Sequence, residues 1–141
     1  MILYDLLKND DNKAIAITSP QKTPLNYGDL RLHIKKIGRH LFGLGLVQKD
    51  RVAIVLPNGP EMATAFLAVA SHMSAAPLNP AYKENEFNFY LKDLNPKIVL
   101  TEDVRDSAII RAAKKLKIKV IKIKSQKNFT AGMFEIRSKE K

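Results

Sequence analysis

Cysteine and tryptophan are absent from this 141-residue chain, and glycine occurs only six times. Without cysteine there is no disulfide framework, no thiol nucleophile and no cysteine-ligated zinc or iron–sulfur centre. The glycines, at 28, 38, 43, 45, 59 and 132, form no G-x-x-x-x-G-K-S/T phosphate loop. Only Gly43-Leu44-Gly45 comes near a nucleotide fingerprint, and it leaves a helical pattern rather than entering one, which suits a helix exit. Long hydrophobic runs are missing too. The most apolar stretch, Val52 to Leu78, is broken by Pro57-Asn58-Gly59-Pro60-Glu61 and cannot be one membrane span. Residues 1–11 carry Asp5, Asp10 and Asp11 and no basic leader, which argues against a secretory signal. The composition therefore leads to the expectation of a soluble, cytoplasmic protein.

What is present is enough apolar residue, 45%, for one ordinary domain core. The net charge is +10, from 24 Lys and Arg against 14 Asp and Glu. That excess is local. Eight bases and no acid lie between Arg111 and Lys127, and sixteen bases face fourteen acids elsewhere. Lys117, Lys119, Lys122 and Lys124 alternate with Ile118, Val120, Ile121 and Ile123, so they read as the wet ends of a helix and a strand edge. No aromatics are interleaved as they would be on a stacking platform for single strands, so nucleic acid is not the expected partner. A stand-alone basic module that binds nucleic acid or an anionic surface weakly is the alternative reading.

Two short extended runs, residues 14–18 and 22–26, flank Ser19-Pro20-Gln21 and predict a hairpin whose second strand Pro24 confines to an edge. Leu30, Ile34, Ile37, Leu41 and Leu44 then mark one face of a helix, with Asn26 as N-cap and Asp29 as a capping-box-like carboxylate. The remainder alternates strand and helix. Val52 to Leu56 is β-branched and apolar throughout, as a strand buried on both faces would be. Pro60 suits the first position of a helix running to about His72. A strand follows at Ala75 to Leu78, a helix carrying Phe87, Tyr90, Leu91 and Leu94, a strand at Lys97 to Leu100, a helix at Val104 to Leu116, and a strand at Ile118 to Ile123. The fold class expected is α/β: a hairpin and helix followed by a βαβαβαβ parallel sheet with flanking helices. Residues 1–124 form this unit. Residues 125–141 read as an irregular basic tail with a weak apolar patch at Met133, Phe134 and Ile136.

The candidate chemistry is thin. His33 and His40 lie seven apart, too far along a helix to share a metal, and with His72 they read as surface or half-buried side chains. Ser71-His72 is adjacency without a nucleophile elbow. Glu84 and Glu86 suit a helix amino terminus better than acid–base work. No catalytic, cofactor-binding or metal-ligating residue is assigned. Asn58 and Asn79 are named as pocket-adjacent, because both follow the carboxyl ends of predicted strands, where folds of this class bind ligands. Their Pro and Gly neighbours favour a turn-forming role for both.

From about Ala14 to Ile123 the chain resembles the beginning of the AMP-forming, adenylate-forming enzymes, which include acyl-CoA synthetases, aryl-CoA ligases, luciferases and peptide-synthetase adenylation domains. The resemblance is carried by the tyrosine-led helix start at Asn26 to Leu30, by GLGL…DRVAIVLPNGPE from Gly43 to Glu61, and by PLNPAY followed by an acidic helix and a strand ending in Thr101. The stretch AAPLNPAYKENEFNFYL looks most like the oxalate and short-chain acid–CoA ligase branch. The resemblance implies an acid activated by ATP and magnesium to an acyl-adenylate and then captured by coenzyme A. The family's Ser/Thr/Gly-rich phosphate loop, aromatic-Thr-Glu segment, ribose-binding Asp and mobile-domain lysine would lie downstream, and none is found in these residues. LYDLL at 3–7 resembles the family's opening helix, so Met1 is expected to be a natural start. The expectation is a scaffold that binds no cofactor by itself, works with the remaining domains of a synthetase, and as a partial domain leaves strands without neighbours and apolar surface uncovered.

Overall fold

A computed structural model describes residues 3–125 and 130–137. Met1, Lys127 and the parts of the predicted tail at 126–129 and 138–141 lie outside the described residues.

A short 3-10 helix, Leu3–Leu7, precedes a two-stranded antiparallel sheet of β1 (Ile15–Ile17) and β2 (Leu25–Asn26). Helix α1 (Tyr27–Gly43) follows directly, and the Asn26 side chain accepts a hydrogen bond from Asp29 N at 2.7 Å, as its N-cap position predicts. Then come β3 (Arg51–Val55), α2 (Pro60–Ala70), β4 (Ser74–Pro77), α3 (Glu84–Leu94), β5 (Ile98–Glu102), α4 (Ala108–Lys115), β6 (Lys119–Ser125) and β7 (Phe134–Ile136). Pro60 opens α2, where its missing N–H costs nothing. Helix α4 starts later than the pattern implies, because Ser107 accepts from Ile110 N and caps it there.

Five strands form the main sheet in the order β4-β3-β5-β6-β7. The first four are mutually parallel, and β7 runs antiparallel to β6, pairing Ile123 with Ile136 and Ser125 with Phe134. Strand alternation divides the core in two. Val52, Ile54, Ile98, Leu100, Ile121 and Ile123 pack on one face against α1 and α2. Ala53, Val55 and Val99 pack on the other against Phe87 and Leu91 of α3 and Ile109, Ala112 and Ala113 of α4. Strands covered on both faces have to be apolar at successive positions, which is why β3 and β5 read as unbroken runs.

Two expectations need correction. Residues 125–141 are not wholly irregular: Ala131 and Phe134 are buried, and the Met133, Phe134, Ile136 patch is the approach to β7 and its apolar face. Strand β6 is consequently interior, so Lys122 and Lys124 lie on a paired strand and not on a sheet edge. The edges of the main sheet, among the described strands, are β4 and β7.

Candidate functional site

The chain reverses its progress across the sheet at β3: α2 carries it outward to β4, and α3 carries it back past β3 to β5. Ligand crevices in open α/β sheets form beyond the carboxyl ends of strands at such reversals. An open cavity of about 350 Å³ lies there, lined by Leu56, Asn58, Met62, Leu78 and Asn79 together with Pro77 and Pro80. The two asparagines singled out by their position after strands are thus brought to one hollow, 21 residues apart in the chain.

Their engagement differs. Asn79 is a turn residue: its side-chain oxygen accepts from Ala81 N at 2.9 Å and its carbonyl from Tyr82 N at 3.2 Å. Asn58 is exposed, and its side chain makes no hydrogen bond to the described residues. The hollow therefore offers neutral amide donors and acceptors on an apolar floor, suited to orienting a ligand and unable to transfer a proton at neutral pH.

No titratable or nucleophilic side chain among the described residues lines this hollow, and those on the neighbouring elements have other partners. Glu61, in the first turn of α2, pairs with Lys22 at 2.6 Å. Burial pushes its carboxyl upward, but hydrogen bonds from Lys22 and from its own backbone, with the Lys22 charge and Ser125, outweigh this and leave it below the usual range. Thr64 Oγ1 donates to Gly132 O at 2.6 Å and Thr101 Oγ1 to Val55 O at 2.8 Å, so neither hydroxyl is held by a base. His72 Nδ1 donates to Ala68 O at 2.7 Å and makes no bond to Ser71. Glu84 is held below the ordinary carboxylate range by Lys115 and then Arg111, and Glu86 accepts from Lys83 N at the start of α3. Those pairs also absorb part of the basic stretch read from the sequence.

His33 departs from expectation. Rather than lying at the surface or half-buried, it is 2% exposed, edge-on to Phe134 with ring centroids 4.5 Å apart. Neither ring nitrogen has a hydrogen-bond partner, and burial, with the Lys36 charge, lowers its pKa from 6.5 to about 4. Nothing in the sequence around residue 33 signals a contact a hundred residues away.

The start of α2 does not suit a phosphate group. A phosphate at the start of α2 would meet Pro60, which has no N–H, and the Glu61 carboxylate. Among the described residues no three of His, Asp or Glu gather to hold a metal ion. No helix of the described residues is long and apolar enough to cross a membrane.

Comparison with known proteins places the geometry. Residues 7–140 match the family described as AMP-binding enzyme. The oxalate–CoA ligase of Arabidopsis thaliana is 36% identical over 115 residues, which are 79% of this chain and 22% of that protein. That of Saccharomyces cerevisiae is 44% identical over 78 residues, 52% of this chain and 14% of the relative. Among solved structures, apo MatB from Rhodopseudomonas palustris superposes with a TM-score of 0.75 at 28% identity, covering 85% of this chain and 25% of MatB. The matched stretches thus cover only 22% and 14% of the length of these two curated relatives. With residues 7–140 matching the family and 85% of the chain superposing on a solved structure at a TM-score of 0.75, the chain belongs to the AMP-binding enzyme family.

Proposed function

We propose that this chain supplies the amino-terminal α/β scaffold of an ATP-dependent, AMP-forming acid–CoA ligase and is inactive as a ligase by itself. The observation that carries the reading is a family match over residues 7–140 in a chain spanning 22% of the Arabidopsis relative. The lack of any phosphate-binding loop or acid–base pair around the Asn58 and Asn79 hollow supports it. In this reading the carboxylic acid, ATP, magnesium and coenzyme A are bound by the remaining domains of the synthetase, which are the chain's partners. The acid is a short one, as the names of the two oxalate–CoA ligases suggest, and the compartment is the cytoplasm.

A chimera tests the proposal. This chain is fused in place of the matching segment of the Arabidopsis oxalate–CoA ligase, and oxalate-dependent pyrophosphate release is measured for the chimera and for the 141-residue chain. The expected result is release by the chimera and none by the chain alone. Release by the chain alone would overturn its inactivity, and a soluble, folded chimera without activity would overturn the scaffold role.

A further inference from the structure

The amino-terminal ends of the strands, opposite the Asn58 and Asn79 hollow, carry a feature that the scaffold role leaves unused. There a cavity of about 450 Å³ is lined by Lys49, Asp50, Arg51, Asn95, Pro96 and Lys97. Arg51 and Lys97 are cross-strand neighbours: Val52 pairs with Ile98, and Lys97 N donates to Arg51 O at 2.8 Å. Strand alternation sends both side chains to the α3–α4 side, away from Val52 and Ile98. Like charges placed directly opposite in a sheet repel, so this register is unfavourable unless something answers the charge.

The groups that would ordinarily answer it are only partly available. Arg51 Nη1 donates to Leu94 O at 2.8 Å, complementing the carbonyl end of α3. Lys49 and Lys97 make no ion pair with the described residues. The one carboxylate of the rim, Asp50, is turned to its own loop and accepts from Val47 N at 2.8 Å. Asn95, in the left-handed conformation that caps α3, adds a side-chain amide to the rim. The hollow thus presents three cations, one of them a planar guanidinium, against one committed carboxylate. A single carboxylate ligand would answer only part of that charge, whereas a phosphate ester or short polyphosphate supplies several negative oxygens for the guanidinium fork and the two ammonium groups together.

From this juxtaposition we infer that Lys49, Arg51 and Lys97 form a binding site for a multiply charged phosphate group at the amino-terminal edge of the sheet. The site lies outside the 111–127 basic stretch, and its specificity is local rather than a consequence of the net charge of +10.

The test uses the full chain at low ionic strength, titrated by calorimetry with sodium tripolyphosphate and, separately, in flotation with phosphatidylcholine vesicles containing phosphatidylinositol bisphosphate. Lys49→Gln with Lys97→Gln is compared with Lys13→Gln with Lys114→Gln, which removes the same charge from exposed positions elsewhere. Binding in either arm that the first pair weakens by roughly tenfold per lysine and the second leaves within about twofold supports the site. The responding arm identifies the source of the phosphate, free or lipid-borne. Absence of binding in both arms overturns the inference, as does equal loss in the two double variants, since equal loss means a diffuse charge effect. All four positions are exposed, so the native circular dichroism spectrum is expected throughout.

Discussion

His33 is a buried base on α1, packed edge-on against Phe134, whose two ring nitrogens have no hydrogen-bond partner among the described residues. Because its folded pKa is about 4 and its unfolded value about 6.5, the unfolded chain takes up the proton first as pH falls. Its contribution to stability is therefore complete above pH 6.5 and is lost progressively down to about pH 4, a change of about 3 kcal/mol from this group. Carboxylates act in the same direction at the lower end of the window, since Glu61 and Glu84 are both held below their ordinary range. The two contributions separate in His33→Phe, which fills the site with a ring that cannot be protonated. Denaturant midpoints measured from pH 7 to pH 4 are expected to fall steeply for the native sequence and to fall much less for the variant between pH 6.5 and 5. Equal slopes over that interval would show that His33 does not carry the effect.

At the scale of elements, the last described segment is fastened at several points. Ala131 N donates to Thr23 O at 2.8 Å, Thr64 Oγ1 holds Gly132 O, and β7 pairs with β6. Gly132 permits this because its φ is +81°, and a Cβ there would lie 2.5 Å from Thr64 Cγ2 and 3.1 Å from Pro60 O. Gly132→Ala combines left-handed backbone strain with that collision, and a loss of about 2–3 kcal/mol is expected in urea denaturation. An unchanged midpoint would mean that the loop moves away from α2 without cost. These contacts also explain what the sequence could and could not disclose. Strands β3 and β5 are sandwiched between helices, so their identity is written in consecutive apolar residues, and the caps at Asn26 and Pro60 are local signals. Strand β7 is three residues long and pairs with Ile123 to Ser125, and the residues leading into it are held by Thr23 and Thr64, far away in the chain. No periodicity within the tail encodes such a fit. The same divide holds for the candidate sites. That Asn58 and Asn79 follow strand ends could be read locally, since strand ends and turn residues are local features, whereas the pairing of Arg51 with Lys97 depends on a register that only the assembled sheet reveals.

For the molecule as a whole, the segment carrying β7 completes a face of the core that the parallel sheet leaves open. Phe134 is 2% exposed and belongs to the same cluster as Ile121, Ile123, Leu25, Ile34 and Leu100. Ending the chain at Ser125 would uncover Ile121, Ile123 and His33 together and leave β6 as a bare edge. Loss of the Phe134 side chain alone has the cost of a buried Phe→Ala change, about 3–5 kcal/mol, which is a large part of the 5–15 kcal/mol typical of a whole domain. Uncovered apolar surface already exists elsewhere: Leu32 is 66% and Phe89 67% exposed. We therefore expect the 141-residue chain to unfold in a weak transition at modest temperature, and the chain ended at Ser125 to show no cooperative transition by calorimetry and to bind a hydrophobic dye. A shortened chain that melts as sharply and as high as the full one would show that the four parallel strands and four helices fold without β7, placing the structural boundary by residue 125.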